Sequence, residues 1–272
     1  MTATCGAAIL VRNDARNLAW ALRSVRWCDD VVVMDMESTD DTREVAAAGG
    51  ARVLRTARVR EFDRARQALL EACATDWVLL LDSDEVVPRR LADRFQEIVA
   101  GDAVDVVDVP FCNYLGEWRI ESCGWWPDYH PRLFRKDAAR VTGRIHDYLR
   151  FDPATRRIRL DAERELSIHH FTYRDVSHFV AKTSEYTYLE SLRRHESGIH
   201  PSILRMLGAP PREFLRRYVL LGGWREGWRG FCLALLLAVY RLLLEIQTAE
   251  RWDLLEGRTG AALDRTKEAL LG

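Results

Sequence analysis

Four short runs dominated by apolar residues, Cys5–Val11, Asp30–Asp35, Ala51–Thr56 and Trp77–Leu81, punctuate the first part of the chain. Between them lie segments with helical spacing, such as Leu18, Leu22 and Val25 in NLAWALRSVRW, and FDRARQALLEACA after the third run. Asp40 to Ala48 reads as another helix, with Ser38 or Thr39 as its cap and Gly49-Gly50 as its stop. Alternation of strand and helix at this rhythm requires right-handed crossovers and a parallel sheet. A parallel strand is covered on both faces, so its polar chemistry is displaced to its ends.

The fourth run ends abruptly. WVLLLDSDEVV passes from five apolar residues, Trp77 to Leu81, into Asp82, Ser83, Asp84 and Glu85. Carboxylates that close repel one another unless a cation sits among them. Ser83 or Asp84 could cap the helix that Pro88 opens. Capping needs one carboxylate, however, and three are present. Metal or nucleotide chemistry accounts for the excess, with Asp82 and Asp84 spaced as a DxD pair of oxygen donors suited to magnesium or manganese.

In an open parallel sheet, ligands bind outside the carboxyl ends of the strands. Two other polar clusters fall there, RND (Arg12–Asp14) after the first strand and DMESTDDT (Asp35–Thr42) after the second. ILVRNDARN lacks the glycines of a dinucleotide turn, which argues against hydride transfer. DSDEV also matches the DxDx[TV] of haloacid-dehalogenase-type phosphatases, whose first aspartate becomes phosphorylated. Such an enzyme needs a lysine beside the phosphate, and Lys136 is the one candidate. It usually carries the motif on its first strand, not its fourth.

A chain of 272 residues has room for one large domain, or one domain with an appendage. At 48% hydrophobic, 30% charged and formal charge −1, it is neither disordered nor a nucleic-acid binder by bulk charge. Six scattered cysteines without a CxxC pair read as reduced thiols, not as a disulfide frame or zinc site. No basic-then-apolar signal segment precedes the first strand, so the expected location is the cytoplasm.

From Val104 to about His170 short strands and aromatic-rich loops are expected, and helices after Asp175. The division is therefore a nucleotide-binding catalytic domain over 1–175 and a helical region over 176–272. FCLALLLAVYRLLL (Phe231–Leu244) is too short to span ~30 Å of hydrocarbon. Six arginines between Arg205 and Arg229 face only Glu213 and Glu226. Residues 205–244 thus suit peripheral attachment to the inner face of an anionic membrane. A helix buried against the catalytic domain, or against a second subunit in a homodimer, fits equally.

Seven blocks in order, VRNDARNL, VVVMDMESTDDT, DWVLLLDSDEVV, GWWPDYHPRLFRK, GRIHDYL, HHFTYRDVSHFVAKTSEY and FLRRYVLLGGWREGWRGFCLALLLAVYR, carry a family likeness. The chain resembles the family 2 inverting glycosyltransferases of GT-A fold, within them the lipopolysaccharide-core beta-1,4-glucosyltransferase type. The resemblance implies an α/β, Rossmann-like, mostly parallel sheet with flanking helices, plus a C-terminal helical extension. It implies metal-dependent (Mn2+ or Mg2+) transfer of a hexose, glucose in that type, from a UDP-sugar to a glycan or lipid-linked cell-envelope acceptor. A specialised-metabolite acceptor equally fits the arginine-rich composition.

By the same resemblance, Asp35 contacts the uracil or ribose, and Asn13 and Asp14 lie beside the nucleotide. Asp82 faces ribose or metal, Asp84 is the direct metal ligand, and His146 sits near the diphosphate or metal. Glu37 stands where the family often has glycine, and Asp14 and Asp147 where glutamate is common. An inverting transfer needs a base for the acceptor hydroxyl. Asp128 in GWWPDYH is the first candidate and Asp147 the second. Trp125 and Trp126 offer flat faces for stacking on sugar rings, or else belong to the core with Asp128 as a turn residue. Arg132 and Arg135 could hold phosphate, or form a solvated strand face. A catalytically silent nucleotide-sugar binder is the remaining class.

Overall fold

The computed structural model describes residues 3–57, 62–101, 103–141, 149–255 and 258–271. It divides into two units. The first comprises Met1–Tyr114 and Trp126–Thr172, the second Leu115–Trp125 and Tyr173–Gly272.

The first unit opens as β1 (Cys5–Val11), α1 (Ala15–Ser24), β2 (Asp30–Asp35), α2 (Thr42–Ala48), β3 (Arg52–Arg55), α3 (Phe62–Ala72) and β4 (Trp77–Asp82). Next come a two-residue β5 (Glu85–Val86), α4 (Arg89–Ala100) and β6 (Val106–Leu115). Past a short β7 (Trp118–Arg119) lie β8 (Asp128–Arg135), β9 (Ala139–Val141), β10 (Leu149–Phe151), β11 (Arg157–Arg159) and β12 (Ile168–Tyr173). The main sheet runs β3-β2-β1-β4-β8-β6-β12-β5. Its first four strands are parallel, as alternation with helices demands. β8 then runs antiparallel to both β4 and β6, and β12 antiparallel to β5. The sheet is mixed, and its antiparallel half carries the aromatic-rich segment.

Both faces of the parallel half are covered, and the side chains sort by alternation. Ala7, Ile9, Leu79 and Leu81 pack on one face with Leu18 of α1 and Phe95 of α4. Ala8, Leu10, Val78 and Leu80 pack on the other with Leu69 of α3. Register sets the strand ends level: Val11 lies opposite Asp35 on one side, and Leu10 opposite Asp82 on the other. Asp35 and Asp82 therefore flank the tip of β1, their backbones two strand spacings, or roughly 10 Å, apart.

Two capping expectations give way. The residue before α2 is Asp41, with no side-chain cap bond, because Ser38 and Thr39 are bound to Asn13 instead. α4 likewise begins after Pro88 without a side-chain cap, and Ser83 turns to Asp14.

The second unit is helical, with α5 (Val176–Glu196), α6 (Ile203–Leu215), α7 (Gly227–Leu255) and α8 (Arg258–Leu271). Asp175 starts α5 by accepting a 2.7 Å bond from the His178 backbone N–H, and Ser202 caps α6 through its side chain. Ile120 and Cys123, from the inserted 115–125 segment, pack with Phe179 and Leu233 in this unit's core. α7 lies against α5 and α6. Its buried Glu245 accepts from Arg194 at 2.6 Å and Arg205 at 3.3 Å. At 29 residues α7 is far longer than its apolar run, and by length and composition alone it could cross a membrane, although 33% of its most apolar stretch is buried within the protein. Where α7 begins, a Cβ on Gly230 would meet the Gly223 carbonyl oxygen at 1.9 Å, so only glycine fits. All six cysteines are free thiols.

Candidate active site

The three polar clusters at the ends of β1, β2 and β4 are physically tied together. Asn13 accepts a 2.7 Å bond from the Thr39 backbone N–H and donates its own N–H to Ser38 Oγ at 2.9 Å. Asp14 receives Ser83 Oγ at 2.8 Å, and its N–H donates to Thr42 Oγ1 at 3.0 Å. Asn13 and Asp14 thus act as latches between the loops. The strain is local: Asn13 and Glu37 hold φ of +48° and +54°, a left-handed region that asparagine tolerates and glutamate does not favour. Glycine would sit at position 37 without that cost.

Beyond β2 and β3 opens a cavity of ≈ 560 Å³, lined by Asp35, Glu37, Thr39, Arg43, Arg55 and Thr56 among others. Its volume is in the range of small-molecule sites. Asp35, fully buried, accepts the Ser38 backbone N–H at 3.2 Å. Two arginines beside one buried carboxylate make a pocket suited to a polar, anionic ligand.

Around the β4 tip the charges are paired in a definite order. Arg132, itself buried, contacts Glu85 at 2.5 Å and Asp82 at 3.4 Å, while Arg66 holds the other Asp82 oxygen at 3.1 Å. The Arg132 guanidinium also lies 4.9 Å over the Phe111 ring. Desolvation pulls the Asp82 carboxyl up, but Arg66 and Arg132 reverse this and hold it well below the usual carboxylate range. Fully buried Glu85 goes the other way: burial outweighs Arg132 and, with Asp82 adding, pushes it up to about 7. Glu85 also accepts the Asp82 backbone N–H at 3.0 Å, which fixes the turn.

β12 supplies what sequence reading missed. Its pairing with β5 sets His170 opposite Glu85, and the Phe171 N–H donates to the Asp84 carbonyl at 2.9 Å. His170 Nε2 lies 3.5 Å from Asp84 Oδ1, and Nδ1 lies 2.9 Å from Asn113 Oδ1. Burial pulls the His170 ring toward the neutral form, and Asp84, backed by Glu85 and Asp82, more than reverses this. Asn113 also bonds Asp128, whose other partner is His130 at 3.1 Å. Desolvation raises the Asp128 carboxyl, yet the His130 and Asn113 contacts leave it below its ordinary value, hence ionised at neutral pH. Phe111 props both imidazoles edge-on, at 4.9 Å from His130 and 5.8 Å from His170. The result is one connected cluster, Asp84–His170–Asn113–Asp128–His130. HHFTY shows no motif spacing to DSDE, and only strand pairing brings them together.

His146 and Asp147 lie outside the described residues. Trp126 is half-buried in the first unit, and Trp125 belongs to the second, where it packs against Tyr173. Lys136 bonds the carbonyls of Glu71 and Cys73, next to the start of β4 and not its acidic tip. The phosphatase reading fails there, since no lysine stands beside Asp82 among the described residues. Nor do three or more His, Cys, Asp or Glu side chains among them form a group that could by itself hold a metal.

Polar side chains gathered at the carboxyl edge of an α/β sheet stand where enzymes of this architecture hold their ligands. The chain belongs to glycosyl transferase family 2, whose description matches residues 7–152. It is similar along most of its length to the lipopolysaccharide core biosynthesis glycosyltransferase LpsC of Rhizobium meliloti (strain 1021), at 24% identity over 260 residues, 89% of this chain and 91% of that one. An uncharacterized glycosyltransferase of Rickettsia felis is 35% identical over 93 residues, but these cover only 34% of this chain and 32% of that protein. Among solved structures, glucosyl-3-phosphoglycerate synthase from Mycobacterium tuberculosis, in complex with Mn2+ and UDP-glucose, aligns with a TM-score of 0.35 and 24% identity over 40% of this chain and 44% of that one.

Proposed function

We propose that the chain is an inverting hexosyltransferase that moves a sugar, glucose by family resemblance, from a UDP-sugar to a glycan or lipid-linked acceptor of the cell envelope. The observation that carries this reading is the Asp84–His170–Asn113–Asp128 chain on the edge that also holds the Asp35 cavity. The cavity takes the nucleoside, with Asp35 toward uracil or ribose. A lipopolysaccharide-type acceptor is supported by the name of the Rhizobium relative. Work on such an acceptor suits an enzyme at the inner face of the cytoplasmic membrane.

Asp84 and His170 would supply two of the ligands of a divalent cation, Mn2+ or Mg2+, with the diphosphate of the donor completing the set. Asp84 offers a carboxylate oxygen and His170 an imidazole nitrogen 3.5 Å from it. With Nδ1–H donating to Asn113, Nε2 on the Asp84 side is the position that would give up its proton to a cation. When bound, such a cation neutralises charge developing on the leaving diphosphate. The remaining steps belong to side chains. Asp82, held by Arg66 and Arg132, would meet the ribose. Asp128, ionised and steadied by His130, accepts the proton of the acceptor hydroxyl as it attacks the anomeric carbon. The sugar–phosphate bond breaks on the opposite face and releases UDP.

Calorimetry of UDP binding, with and without manganese, tests this. Wild type should bind UDP more tightly with manganese, and Asp84→Ala and His170→Ala should each abolish that gain while keeping metal-free UDP binding. A protein that binds no UDP under either condition would sink the uridine assignment. UDP binding without turnover on any acceptor would favour the silent binder.

A further inference from the structure

The second unit exposes an apolar corner that its own core does not use. Leu215, at the end of α6, is 57% exposed, and Val219 just beyond it is 51% exposed. Leu220, Trp224 and Trp228 follow at 78%, 55% and 73% exposed. A monomeric surface seldom strings so many large apolar side chains together without a partner.

The charges around this corner have one sign. In a protein of net charge −1, residues 200–231 hold six arginines and two glutamates. Both glutamates are drawn into the unit. Glu213 is buried under Arg216 and Arg217, and Glu226 accepts from Trp118 Nε1 and the Glu121 backbone N–H. Arg212, Arg225 and Arg229 remain exposed. Arg225 and Arg229 lie over the rings of Trp224 and Trp228, at 5.3 and 5.7 Å. Tryptophan beside arginine, around exposed leucines, is the composition of a surface that enters the headgroup layer of a bilayer.

We infer that the corner formed by the end of α6, residues 216–226 and the start of α7 is a monotopic anchor that seats Leu215, Val219, Leu220, Trp224 and Trp228 in the interface of an anionic membrane, with the flanking arginines on lipid phosphates. A second copy is a poorer occupant, because a twofold contact would bring exposed arginines of like charge together without carboxylates to answer them. Crossing the bilayer is a poorer role for α7, which carries Arg241 and the Glu245 ion pairs and is flanked by α5 and α6. The inference rests on the membrane-facing acceptor proposed above and names the surface that would meet the lipid.

Flotation of the full chain with vesicles tests it. Vesicles of phosphatidylcholine with phosphatidylglycerol should carry the protein, and phosphatidylcholine alone should carry at least roughly tenfold less. Trp224→Ser with Trp228→Ser should abolish flotation, Arg225→Gln with Arg229→Gln should weaken it by roughly fivefold per arginine removed, and Trp20→Ser, an exposed tryptophan of the first unit, should leave it unchanged. High salt should release the wild type. Absence of flotation, equal flotation on neutral vesicles, indifference to both double substitutions, or retention through a high-salt and alkaline wash would each overturn the anchor. So would a lipid-free dimer that the tryptophan substitutions dissociate while flotation is absent. UDP calorimetry on the same preparations keeps the two readings separate: a protein that binds UDP but no vesicles removes only the anchor, and one that floats without binding UDP removes only the donor reading.

Discussion

Asp82 and Glu85 stand three residues apart on one turn, and their protons behave in opposite ways. Two arginines keep Asp82 ionised, while burial leaves Glu85 close to neutral, so Arg132 is shared between one full charge and one that is only partly formed. This divides labour among the acidic residues of DSDE: Glu85 builds the turn, Asp82 is fixed by arginine, and Asp84 faces His170. In the proposed reaction Asp128 is the group that meets the acceptor, since its side chain is 42% exposed and ionised. Asp128→Asn keeps the size and the Asn113 contact but removes the basic oxygen. It should lower kcat by roughly 10²- to 10⁴-fold and leave the UDP dissociation constant unchanged, as steady-state kinetics beside calorimetry would read. A parallel loss of UDP binding would show that Asp128 acts on the donor.

At the scale of elements, β1 and β4 hold the site because they are packed on both faces. Successive residues of each strand are committed to different cores. Leu80→Ala should therefore cost about 2–5 kcal/mol, read from the shift in urea midpoint. A loss well under 1 kcal/mol would mean that the α3 face of the sheet can collapse into the gap. These strands were legible in sequence because a run such as WVLLL has no polar face, and their acidic ends announced the edge where chemistry gathers. His170 was not legible. Its role depends on an antiparallel pairing, His170 to Glu85, that joins residues 85 positions apart in sequence, and no local periodicity encodes such a contact. Ser38 and Thr39 misled for a related reason: both have the chemistry of a helix cap, yet Asn13, from another strand end, claims them.

Across the whole molecule, acid stability should be set partly in the helical unit. Burial raises the Glu213 carboxyl, but bonds from Arg216 and Arg217 prevail and lower it to about 2. A carboxylate held below its ordinary 4.5 stabilises the folded state above that pH, and the contribution fades as pH falls from 4.5 toward 2. Urea midpoints measured between about pH 6 and 3 should fall more steeply for wild type than for Glu213→Gln, which has lost the titration. Parallel curves would mean that the arginines give Glu213 no advantage when folded.

The chain passes between its two units three times, at Tyr114–Leu115, Trp125–Trp126 and Thr172–Tyr173. Residues 115–125 carry the short β7, give Ile120 and Cys123 to the helical core, and return in time for β8 to deliver Asp128. The helical unit is therefore not a cassette that recombination could swap at one splice point. A hybrid joined near residue 175 would inherit its helices from one parent and part of their core from the other. Lineages in this group should diversify their helical half by point substitution, with 115–125 drifting in step with α5 and α7.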